Sequence, residues 1–188
     1  MGYLLKETFG TPRNNTDTVF NTANRKYMTT NFTVATSYLL SKLAYNWGKN
    51  LTPTNNATAY IYNDNGSQTA PGTIVLGTSN SVPCVTFAID TYTAFIFPTP
   101  VLLIPGTMYW VVFMVDVVDG TNSCIMCIQN GNAGRKVSYS PDAVTWTQLD
   151  ATTIGNFKTY ATTAKGLTRR LLLLLARTQN ILKRRYYP

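Results

Sequence analysis

A chain of 188 residues, with 45% hydrophobic and only 13% charged residues, is long enough to bury one ordinary core without disulfide or metal staples. It contains no histidine, which excludes the commonest general base and with it Ser-His-Asp triads and histidine-held zinc. The formal charge of +8 is unevenly placed: residues 1–164 carry nine Lys and Arg and all eight acids, a net of +1, whereas residues 165–188 carry seven cations and no acid, a net of +7. Cationic partners are therefore a matter for the C-terminal segment.

Residues 1–25 read as an N-terminal arm. The start, Met1 to Glu7, lacks the charged lead and long apolar stretch of a signal peptide, and Lys6 spoils an N-myristoylation pattern. No Sec export is expected, and no run reaches the roughly 18 apolar residues of a membrane-spanning helix.

From Lys26 onward, short apolar runs alternate with Gly, Pro, Asn and Asp, the pattern of an all-β sandwich. Leu43, Tyr45 and Trp47 fall on one face of a strand and Asn46 on the other. Ala57, Ala59 and Ile61 oppose Thr58, Tyr60 and Tyr62 in the next, which an Asn63-Asp64-Asn65-Gly66 turn closes. Val85, Phe87 and Ile89 alternate with polar or small residues and predict another strand, followed by one at Phe95-Ile96-Phe97. Met108 to Val115 is apolar on both faces; its β-branched and aromatic content, and Pro105-Gly106 before it, predict a central strand covered on both sides. Strands at Cys124–Ile128, Lys136–Tyr139 and Val144–Gln148 follow, the last two joined by a Ser140-Pro141-Asp142-Ala143 turn. Asn156–Ala161 ends a body spanning 26–164.

At 165–188 the period changes. Leu167, Leu171, Leu174 or Leu175, Thr178, and Ile181 or Leu182 recur at spacings of three and four, predicting an amphipathic helix that begins near Thr168. Five consecutive leucines exceed one packed stripe, and seven unbalanced cations exceed a solvated face. Arg169, Arg170, Leu171, Leu174, Leu175, Arg177, Ile181, Leu182, Lys183, Arg184 and Arg185 are therefore the candidate docking residues. Protein is the first expected target, ahead of an anionic membrane or nucleic acid; the alternative is a helix packed on its own body.

Little chemistry is on offer. Glu7 is the single glutamate, so a carboxylate pair would have to be drawn from seven aspartates, and Asp64, Asp119 and Asp142 sit in turns. Cys124-Ile125-Met126-Cys127 has knuckle spacing, but no second ligand pair exists and residues three apart on a strand face opposite ways; two buried thiols are expected. Asp116, Asp119 and Asn122 offer oxygens to Ca²⁺ or simply cap a polar loop. A non-enzymatic chain without cofactor follows. Exposed aromatics are the usual platforms for sugars, and among Trp47, Trp146, Tyr60 and Tyr62 only the two tyrosines are expected outside the core.

Several segments in a fixed order carry a family resemblance. They are Lys26-Tyr27-Met28-Thr29-Thr30-Asn31-Phe32-Thr33, Tyr38-Leu39-Leu40-Ser41-Lys42-Leu43, Ala59-Tyr60-Ile61-Tyr62-Asn63-Asp64 and Pro71-Gly72-Thr73-Ile74-Val75-Leu76. Leu103-Ile104-Pro105-Gly106-Thr107-Met108-Tyr109-Trp110 and Val137-Ser138-Tyr139-Ser140-Pro141-Asp142-Ala143-Val144-Thr145-Trp146 complete the order. Over residues 26–161 the chain resembles the choice-of-anchor type of β-sandwich of bacterial surface and phage virion proteins, which is similar to carbohydrate-binding modules. The resemblance implies a jelly-roll-like module without chemistry of its own, with virion proteins, further copies of itself and host surface glycan as partners. Lacking an export signal, the chain is expected in a virion rather than on a cell surface.

Overall fold

A computed structural model describes residues 2–10, 15–18, 22–88, 91–118, 120–130, 136–150 and 153–162. The predicted C-terminal helix and all eleven docking residues lie outside this set. Among the described residues the chain is nearly all β and antiparallel, with no helix of seven residues or more, and no helix long and apolar enough to cross a membrane.

The strands are β1 (Tyr3–Phe9), β2 (Asn15–Thr18), β3 (Tyr27–Phe32), β4 (Tyr38–Lys49), β5 (Asn56–Asp64), β6 (Pro71–Pro83), β7 (Thr91–Leu103), β8 (Tyr109–Val115), β9 (Cys124–Asn130), β10 (Val137–Ser140), β11 (Thr147–Asp150), β12 (Thr153–Gly155) and β13 (Phe157–Thr162). They form two sheets. One has six strands in the order β11-β10-β3-β8-β5-β6; the other has seven, in the order β1-β13-β4-β9-β12 with β7 on β4 and β2 on β9. β4 organises the larger sheet, because one of its edges serves β7 while the other serves β13 at residues 40–45 and β9 at residues 47–49.

The two sheets share one core, built by the alternation visible in the sequence. Leu43, Tyr45 and Trp47 from β4 meet Ala57, Ala59 and Ile61 from β5 and Val111, Phe113 and Val115 from β8, all fully buried. Tyr45 and Phe113 close the gap between sheets edge-to-face at 4.7 Å. β8 is central, flanked by β3 and β5, and is buried on both faces as its unbroken apolar run predicts. Trp110, on the face away from the core, is buried too and donates its indole N–H to Asp64 Oδ1 at 2.8 Å.

Turn chemistry follows the polar residues. Asp64 Oδ2 accepts the N–H groups of Gly66 and Gln68, and Gly66 takes φ +89°, a conformation that suits glycine. At the 140–145 turn, the Asp142 carboxylate accepts the N–H groups of Thr145 and Val144 and the Ser140 hydroxyl, which together hold its carboxyl at about 2.

Two expectations need correction. Residues 85–88 do not form a strand, and Ile89 lies outside the described residues. Cys84–Thr86 is a 3-10 turn, closed by the Phe87 N–H on Cys84 O at 3.0 Å and by the Thr86 hydroxyl on Pro83 O at 2.7 Å. Val85 is exposed while Phe87 plugs into the core, so the alternation came from one anchor residue rather than from a sheet face. Nor is the segment before Lys26 an arm, since β1 pairs with β13 and β2 with β9. The period-2 signal at Tyr3-Leu4-Leu5 is absent because the edge strand β1 exposes all three side chains.

Candidate functional site

Tyr60 and Tyr62 stand on the outer face of the six-stranded sheet because Ala57, Ala59 and Ile61 occupy the inner one. Their rings meet edge-to-face at 6.3 Å, and both are half-buried. Cross-strand register sets their surroundings: Tyr60 lies opposite Val112, then Thr29 and Ser138, while Tyr62 lies opposite Trp110 and then Asn31. Burial pushes both phenol groups up, and nearby Tyr27 adds to the effect. Tyr27 thus joins the pair, a neighbour that no sequence spacing reveals because it comes from β3, on the far side of β8. The one carboxylate close by, Asp64, is taken up by Trp110, Gly66 and Gln68. The result is an aromatic face with hydroxyl and amide neighbours and no committed charge, a surface that can stack on the apolar side of a sugar.

The other aromatic candidates separate as expected. Trp47 is fully buried among Tyr45, Phe87 and Phe113, and Trp146 is half-buried behind its hairpin. The oxygen cluster considered for Ca²⁺ is committed elsewhere: Asp116 accepts from the Asn56 N–H and side-chain amide and from the Val117 N–H, and Asn122 Oδ1 accepts the Thr52 N–H. Burial alone would push the Asp116 carboxyl up, yet these bonds outweigh it and leave it below its ordinary value. Asp119 lies outside the described residues. Cys84, Cys124 and Cys127 are free buried thiols, and contact with Cys84 together with burial pushes the Cys124 thiol well up, which keeps it protonated and unreactive.

For the docking segment, the structure gives its point of departure. β13 ends at Thr162, directly opposite Tyr3 at the start of β1, so both ends of the body meet at one corner of the seven-stranded sheet. There Tyr3, Leu4 and Leu5 are 36%, 52% and 48% exposed, and β1 has a strand neighbour on one side only among the described residues. Sequence reasoning missed this corner, because pairing between the first strand and the last leaves no local signature. No protein-family model matches the chain and no curated protein matches it, so the likeness to choice-of-anchor domains rests on the order of its motifs alone.

Proposed function

We propose that the chain is a non-catalytic structural module of a bacteriophage-like virion, a jelly-roll-like sandwich displayed outward as a head decoration, fibre or tail part. It is fixed to neighbouring copies and other virion proteins through its ends. The observation that carries this reading is the corner where Tyr3 meets Thr162: one edge bears exposed Tyr3, Leu4 and Leu5 and also releases the leucine-rich segment with its seven cations. An unpaired apolar edge is costly for a monomer and useful for an assembly. Light scattering on the purified chain is expected to report a homo-oligomer, and the Leu4→Ser/Leu5→Ser variant to report a monomer with an unchanged circular dichroism spectrum. A monomeric unmodified chain at high concentration overturns the reading.

A second reading, a module recognising host surface carbohydrate, is favoured by the half-buried Tyr60 and Tyr62 on the sheet opposite that corner, where assembly would leave them free. Tyr60→Ala is expected to weaken binding on a glycan array about tenfold, in keeping with the loss of one stacking ring. Absence of binding to any glycan, or binding indifferent to the substitution, removes this reading.

A further inference from the structure

The outer face of the seven-stranded sheet has a different chemistry. Lys42 extends its ammonium over the Tyr160 ring at 3.8 Å and the Tyr3 ring at 4.6 Å, and Lys158 lies over the Tyr92 ring at 4.1 Å. The register explains the grouping: Lys42 is opposite Tyr160 on β13, and Lys158 is opposite Ala44, two residues further along β4. The two lysines are therefore about 7 Å apart along the strand direction, on one face. No carboxylate pairs with either among the described residues. Glu7, the one acid on β1, β4 and β13, sits opposite Thr159 on the core side and accepts the Ala35 N–H at 2.7 Å. The face is thus a row of alternating rings and unpaired ammonium groups, and at Thr162 it passes directly into a segment with seven further cations and no acid.

We propose that this face, extended by residues 163–188, binds single-stranded nucleic acid. Unbalanced cations require an anionic partner, and the choice among polyanions rests on the rings. A single strand presents phosphates and unpaired bases in alternation, which lysine and tyrosine in alternation complement, whereas a duplex buries its base faces and offers phosphate alone. The lysines meet phosphates while Tyr3, Tyr160 and Tyr92 supply platforms for bases. This surface lies on the sheet opposite Tyr60 and Tyr62, and the inference goes beyond the assembly reading without resting on it.

The test is fluorescence anisotropy with the full chain and a labelled oligothymidylate across a salt series. Binding is expected to fall as salt rises. Lys42→Gln/Lys158→Gln should weaken it at least tenfold and lower the salt slope by about 1.4, roughly 0.7 for each phosphate no longer neutralised. Tyr160→Ala should weaken it about tenfold at unchanged slope, and Lys42→Arg/Lys158→Arg, which keeps the charges, should retain most of the affinity. The proposal is overturned if the oligothymidylate does not bind, or if the Gln variant binds as the unmodified chain does, which would assign all binding to residues 163–188. It is equally overturned if a duplex of the same length, heparin or phosphatidylserine vesicles bind as tightly as the single strand.

Discussion

Trp47→Ala is expected to remove about 3–5 kcal/mol of folding free energy, the range for truncating a large aromatic in a packed core. The indole is fully buried at the one place where three strands and a turn converge: Trp47 lies opposite Thr91 of β7 and Met126 of β9, and its ring stacks on Phe87 at 5.0 Å. Phe113 of the other sheet meets it edge-to-face at 5.1 Å, and Tyr45 lies 5.3 Å away. Removing it opens a cavity lined by aromatics from both sheets, which cannot collapse together while their backbones are held in ladders. Against a typical total of about 5–15 kcal/mol, that loss threatens the folded state itself. Chemical denaturation is the measurement, with Trp47→Phe as the milder companion expected to retain most of the stability. A loss under about 1 kcal/mol for the alanine variant would contradict the placement of Trp47.

Truncation after Ala164 is expected to abolish assembly while leaving a cooperatively folding domain. The reasoning is geometric: β13 is complete at Thr162, and its ladder is satisfied by β1 on one side and β4 on the other without any later residue. The shortened chain loses seven cations and no acid, so its formal charge falls from +8 to +1. Thermal unfolding followed by circular dichroism should remain a single transition, and light scattering should report a monomer. Aggregation, or a melting point many degrees lower, would mean that the leucine run covers the apolar corner of its own body, and the docking proposal would give way to an ordinary packed segment.

The alternation of side chains located much of this fold. Positions 43–47, 57–62 and 108–115 were legible because burial on one face or both leaves a period or an unbroken apolar run, and both persist in the folded strands. The Val85–Ile89 segment misled because one buried ring, Phe87, imitates a strand face when its neighbours happen to be polar. The first strand was illegible for the opposite reason: an edge strand whose side chains remain in solvent obeys no burial pattern, and its partner lies at the far end of the body. At the aromatic face, Tyr60 and Tyr62 could be placed from their own strand alone. Tyr27 and Trp110 reach that face through the β3-β8-β5 register, which no local pattern encodes. The lysine-tyrosine row was invisible on the same grounds, since Lys42, Lys158, Tyr3 and Tyr92 come from four different strands.

The pairing of Tyr3 with Thr162 also sets an order of events during synthesis. The two residues are 162 − 3 = 159 positions apart, so the strand made first waits for the strand made last. Pairings of such long range carry a large loop-closure cost and place the chain among slow folders, in the range of milliseconds to seconds. While translation proceeds, the body can pack β3, β8 and β5, but the edge that receives β1 does not yet exist. The apolar Tyr3-Leu4-Leu5 strand is therefore open to passing chains until β13 has emerged. Growing neighbours on one messenger would meet through that strand before either domain had closed, and a cell making this protein in quantity would do best to keep such a nascent edge shielded by a chaperone.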